Sequence, residues 1–169
     1  MFWDKFFITS LVGLFLSLLY ILFIQQTAVV EIEATTSSKT AFKIYWAEAG
    51  GQFSEQNAGK RYLNPTTDSY RFRIGNIGSI DLLRIDPSDR HLARVKIHRL
   101  IIRQQGYVPI VLDDPEDFKK LKVIDGVKSL DINNDGLTVI PDGEDPKLQL
   151  VVSGVTKEPW LLKAILRLL

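Results

Sequence analysis

The sequence predicts a mainly β protein: an antiparallel β-sandwich or jelly roll, preceded by one N-terminal transmembrane helix and followed by a short C-terminal helix. Three observations predict it. Phe6 to Ile24 runs for nineteen residues without a charge; as a helix this is roughly 28 Å long, close to the hydrocarbon thickness of a bilayer. Beyond residue 28 the hydrophobic period becomes two, as in half-buried strands. Clusters of Gly, Pro, Asn, Asp and Ser then punctuate the chain about every ten residues, the spacing of turns in sandwiches. The expected division is an anchor at 1–28, a sandwich at 29–155 and a helical tail at 156–169.

The apolar run is longer than a signal-peptide core, and QQTAVVEIEA after it offers a poor cleavage site, so an uncleaved anchor is expected. Lys5 and the amino terminus precede the span, whereas Glu31 and Glu33 follow it. The positive-inside rule then puts the N-terminus in the cytoplasm and the sandwich on the extracytoplasmic side.

Strands follow in order. Val30, Ile32 and Ala34 alternate with Glu31 and Glu33. Phe42, Ile44 and Trp46 share one face opposite Lys43 and Tyr45, and Tyr70, Phe72 and Ile74 oppose Arg71 and Arg73. SIDLLRI (79–85) and ARVKIHRLIIR (93–103) read as two more, the second with Val95, Ile97 and then Arg99 or Ile101 facing away from Lys96 and His98. DDPEDFKKLKVI reads as a short helical turn, with Asp113 or Asp114 as cap and Pro115 in the first turn. Further strands are expected near 127–132, 136–141 and 147–153. The tail PWLLKAILRLL is too short to span. It reads as an interfacial helix, the opening of a second span, or a helix docked on the domain.

The chain has no cysteine, which excludes disulfides and thiolate chemistry. Residues 60–105 hold ten Lys and Arg against four acids, whereas 111–146 hold four against ten. Such halves are expected to cancel largely on folding, which argues against a nucleic-acid partner.

At Tyr45, Trp46, Gly50, Gly51, Phe53, Ser54, Glu55 and Asn57, at Leu83-Arg84-Ile85-Asp86-Pro87, and at Gly143, Asp145 and Pro146 before LQLVV, the chain resembles a domain of bacterial membrane proteins of envelope polysaccharide assembly. Some of those proteins are large membrane glycosyltransferases. The resemblance covers about residues 30–155. It implies a carbohydrate-binding-type sandwich on the extracytoplasmic side, binding a glycan or a membrane protein of the assembly machinery. The larger relatives carry more spans and a catalytic domain that do not occur here, so no glycosyltransferase activity is carried over. The alternative is that the chain is a structural segment of such a multi-span enzyme.

Glycan-binding candidates are Tyr45, which can stack on a pyranose ring, and Arg84 with Asp86, which can bind sugar hydroxyls. Set against them, Asp86 can cap the DPSD turn while Arg84 pairs with Asp81 or Asp145. Trp46 belongs with the core. Asp131, Asn133 and Asp135, with Asp142 at the twelfth position, approach a calcium loop, but the segment LTVIP after them reads as a strand and Asn-Asp-Gly suits a hairpin turn. His91 and His98 read as surface residues. No other cofactor and no catalytic constellation is expected.

Overall fold

The computed structural model describes residues 2–20, 26–66, 68–143 and 145–158. Among the described residues there are a helix, α1 (Phe2–Leu19), and eleven strands after it. No helix among the described residues is long and apolar enough to cross a membrane. The expected span Phe6–Ile24 runs on through residues 21–24, which lie outside the described residues, as do residues 159–169 of the predicted tail helix.

The strands are β1 (Ala28–Thr36), β2 (Thr40–Glu48), β3 (Ala58–Leu63), β4 (Asp68–Ile74), β5 (Ile80–Asp86), β6 (Val95–Arg103), β7 (Ile110–Leu112), β8 (Lys122–Asp125), β9 (Val127–Asn133), β10 (Gly136–Pro141) and β11 (Lys147–Val151). They form two antiparallel sheets. The first runs β4-β1-β6-β10-β9 with β7 added beside β6, and the second runs β3-β2-β5-β11-β8. The predicted mainly β, two-sheet fold with an N-terminal helix is therefore present.

The alternations place one apolar set between the sheets. Ile32, Phe42, Ile44, Phe72, Leu83, Ile85, Ile97 and Leu100 are all buried there, and Phe42 packs on Phe72 with ring centroids 5.9 Å apart. Between Glu33 and Ala34 the pairing of β1 with β6 shifts by one residue, so His98 and Arg99 both turn outward and Leu100 and Ile102 return to the core. This bulge resolves the ambiguity of the 93–103 stretch. Ile101 is on the outer side, beside its register partner Val111 of β7.

The predicted helical turn is α2 (Pro115–Phe118), with Asp114 as its cap accepting from the Asp117 amide at 2.8 Å. Three strands escaped the sequence reading. β3 exposes Lys60, Arg61 and Tyr62 at a sheet edge, β7 has three residues, and β8 is exposed along its whole length. None buries enough apolar alternation to show a period.

Gly136, after the hairpin turn between β9 and β10, has φ +123°, and a Cβ there would lie 2.3 Å from the Ile97 carbonyl oxygen on the neighbouring strand. Gly136→Ala is therefore expected to destabilise the sandwich by about 2 kcal/mol, mostly from backbone strain. Chemical denaturation measures it; an unchanged midpoint would contradict this account.

Candidate functional site

The two sheets present very different outer faces. On the second sheet, β2 and β5 bring the three predicted glycan residues together, because Tyr45 is the register partner of Arg84. The Arg84 guanidinium lies 4.1 Å from the Tyr45 ring centroid and 5.5 Å from that of Phe53. It donates to Asp86 through Nε at 3.0 Å and through a second nitrogen at 2.8 Å, a bidentate pair. Tyr45 donates its hydroxyl to Glu55 at 2.8 Å.

The 49–57 connection thus folds back over Tyr45, which faces outward as the alternation requires yet is only 3% exposed. Its ring is covered by Arg84 and is not an open stacking surface. Burial pushes the Asp86 carboxyl above its usual range, with Arg84 opposing that rise. Arg84 chooses Asp86 rather than Asp81 or Asp145; Asp145 instead pairs with Lys147 at 2.8 Å. The turn after β5 is held by Asp89, which accepts from the Ala41 amide at 2.8 Å and the Thr40 hydroxyl at 2.9 Å, and not by Asp86. These groups satisfy one another and leave little for a ligand to take. Trp46 packs half-buried against the core, as expected.

The calcium reading does not survive the hairpin geometry. Asp131 and Asn133 lie on β9, and Asp135 lies in the turn before β10. Asp142 follows Pro141, the residue that pairs with Val127 at the far end of the hairpin. The six residues of β10 separate Asp135 from Asp142, roughly 20 Å, so no single ion can take ligands from both. Asn133 donates to Asp131 at 3.1 Å and accepts from the Asp135 amide at 2.9 Å, while Lys96 pairs with the Asp135 carboxylate. The carboxylates Asp113, Asp114 and Asp117 approach one another at α2, where capping and ion pairs with Arg99 and Lys120 occupy them.

Thr35, His98 and Asp135 also meet, as sequence reading did not anticipate. Thr35 Oγ1 lies 2.8 Å from His98 Nε2, and His98 Nδ1 lies 3.1 Å from the Asp135 carbonyl oxygen and 3.9 Å from its carboxylate. The order resembles a nucleophilic triad. Thr35, however, sits within β1 opposite Lys96 of β6, where backbone amides lie in the sheet plane and engage the ladder. The group ties β1, β6 and the β9–β10 turn together.

The first sheet carries the more open site. A cleft of about 720 Å³ lies over the outer face at the β4 edge, lined by Thr27, Val29, Glu31, Gly59, Arg61, Arg71, Phe72, Arg73, Arg103, Gln104 and Gln105. Four arginines against one glutamate leave a local balance of +3. Strand register explains the gathering: Val29 pairs with Arg73 on one side and Arg103 on the other, and Glu31 pairs with Arg71. Glu31 binds Arg71 at 2.8 Å and Arg103 at 3.1 Å. Arg61 reaches in from β3, its guanidinium 5.7 Å from the Phe72 ring centroid. Arg73 is exposed and, among the described residues, has no ion-pair partner.

The cleft opens at the end of β1 nearest α1, and the Tyr20 hydroxyl donates to Gln105 on its rim. The basic excess of residues 60–105 is the signal that could have found it. The expected cancellation is only local: Lys96–Asp135 and Arg99–Asp113 join the two halves, while the arginines of the cleft stand apart from the acidic stretch.

No family model and no curated protein matches the chain. A solved structure described as "Crystal structure of Delta413-417:GS LOX" is similar at 12% identity and a TM-score of 0.31, over 68% of this chain and 16% of that one. At that TM-score the likeness carries no argument about fold or function.

Proposed function

We propose that the protein is a non-catalytic, membrane-anchored β-sandwich of envelope polysaccharide assembly that holds an acidic glycan in its arginine-lined cleft. The observation that carries this reading is the cleft itself: four guanidiniums and a single carboxylate on an open surface of about 720 Å³. Guanidinium groups are the donors best shaped for anionic oxygens, and they hold them with charge-assisted, often bidentate bonds. Among the described residues the one carboxylate of the cleft, Glu31, is held by Arg71 and Arg103, and the chemistry on offer is binding.

The anchor reading is supported by α1. Its Phe6, Phe7, Leu11, Leu14, Phe15 and Leu16 are all more than half exposed and distributed around the helix, as suits a lipid surround better than a domain face. With the helix in the inner membrane and its N-terminus in the cytoplasm, the cleft lies outside, next to the bilayer.

The test uses the full chain in nanodiscs of zwitterionic lipid, titrated with acidic and neutral polysaccharides of matched length. Acidic polymers are expected to bind with an affinity that falls steeply with salt, and neutral dextran is expected not to bind. Equal binding of both, or of neither, would overturn the reading.

A further inference from the structure

We infer that the anionic group taken by the cleft is a phosphate ester, seated above Val29 between Arg73 and Arg103. The inference rests on the binding reading above and names its ligand chemistry.

Adjacent rows of the sheet make the case by comparison. In one row Glu31 stands beside Arg71, and its carboxylate also reaches Arg103. In the next row Val29 stands between Arg73 and Arg103, with no acid of its own. Arg73 and Arg103 are two strands apart, so their Cα atoms lie about 10 Å from each other. Two long side chains at that separation can close on one tetrahedral anion over the short valine side chain.

Charge and shape then choose the anion. A carboxylate presents two coplanar oxygens and one charge, a demand that one guanidinium fork meets. Glu31 already fills such a role in the neighbouring row. The cleft nevertheless keeps a balance of +3 and brings Arg61 in from a different strand and direction. A phosphate ester presents several oxygens in a tetrahedral array with a charge of about −1 to −2, and can use donors converging from β3, β4 and β6 together.

The phosphate could be carried by a glycan or by a lipid headgroup at the bilayer next to α1. One experiment separates these sources. The full chain is placed in dodecyl maltoside micelles, which carry no phosphate, and titrated with a phosphomannan and with polygalacturonate. In a second arm, nanodiscs containing phosphatidylglycerol are assayed for loss of phosphomannan binding and for protection of the arginines from phenylglyoxal.

Phosphomannan is expected to bind at least about tenfold more tightly than polygalacturonate. Arg73→Gln, a change at an exposed side chain, is expected to lose at least about tenfold of that affinity with an unchanged melting temperature. Val29→Glu, which supplies an internal carboxylate between the two arginines, is expected to abolish it. Binding of polygalacturonate as tight as phosphomannan leaves the glycan reading standing and overturns the phosphate. Protection by phosphatidylglycerol with no binding of either polymer supports a phosphate from lipid and overturns the glycan reading. Neither polymer bound and no protection by lipid overturns both, and full phosphate affinity in Arg73→Gln overturns the seat above Val29.

Discussion

Truncation of Phe42 to alanine is expected to cost about 3–5 kcal/mol of stability and to lower the melting temperature by roughly 10–20 °C. Phe42 is fully buried between the sheets, where its ring packs at 41° against Phe72. The loss combines the transfer free energy of the aromatic ring with the cavity left behind, because the surrounding strands are fixed by their ladders and cannot collapse inward. The consequence reaches the cleft. Phe72 is part of its floor and lies beneath Arg61, so a ring that settles toward the cavity draws that support away. Loss of ligand affinity in Phe42→Ala, at temperatures where the variant remains folded, is expected to be smaller than in Arg73→Gln. Calorimetric melting and titration on the same samples check both parts. A drop in melting temperature of less than a few degrees would mean that the core repacks far more freely than a two-sheet interior should.

Much of the sandwich was readable because the interior is built from strict alternation. In β1 (Ala28, Val30, Ile32, Ala34) and β4 (Tyr70, Phe72, Ile74) alternate side chains are apolar and buried, and Phe42 and Ile44 of β2 keep the same period, a pattern that depends on the residue types alone. Edge strands carry no such message. β3 and β8 pair on one side only and expose most of their side chains, so hydrogen bonding to a neighbour, invisible in sequence, decides their conformation. The bulge at His98 and Arg99 was hidden for a related reason: it depends on β1 holding its register while β6 gains a residue. A two-residue step puts Arg84 and Asp86 on one face of β5, but only the pairing of β2 with β5 brings Tyr45 beside them. Nothing local could reveal that the 49–57 connection would lie over Tyr45. The cleft needed the sheet order. Arg73 and Arg103 are thirty residues apart in the chain and become neighbours only because β1 lies between β4 and β6.

Replacing Arg84 by methionine is expected to cost about 3 kcal/mol at neutral pH, because it leaves the Asp86 carboxylate buried without its bidentate partner. The pH dependence tells this loss apart from lost packing over Tyr45. Burial already holds the Asp86 carboxyl above its usual range, and Arg84 is the largest opposing influence, ahead of Lys43, while Asp145 nearby raises it further. Without Arg84 the folded-state value climbs again. Between the ordinary carboxylate range, about 4, and that raised value the folded protein then holds a proton that the unfolded chain has released. Stability consequently falls as pH rises through this window, so the variant's deficit is expected to be smaller at about pH 5 than at pH 7.5. Adding Asp86→Leu removes the stranded charge and is expected to recover most of the loss at neutral pH while flattening its pH dependence. Urea unfolding followed by circular dichroism at the two pH values measures all three proteins. A deficit in Arg84→Met that is the same at both, and that Asp86→Leu does not relieve, would show that Arg84 serves chiefly as a cover for the Tyr45 and Phe53 rings and not as the counter-charge that lets Asp86 stay buried.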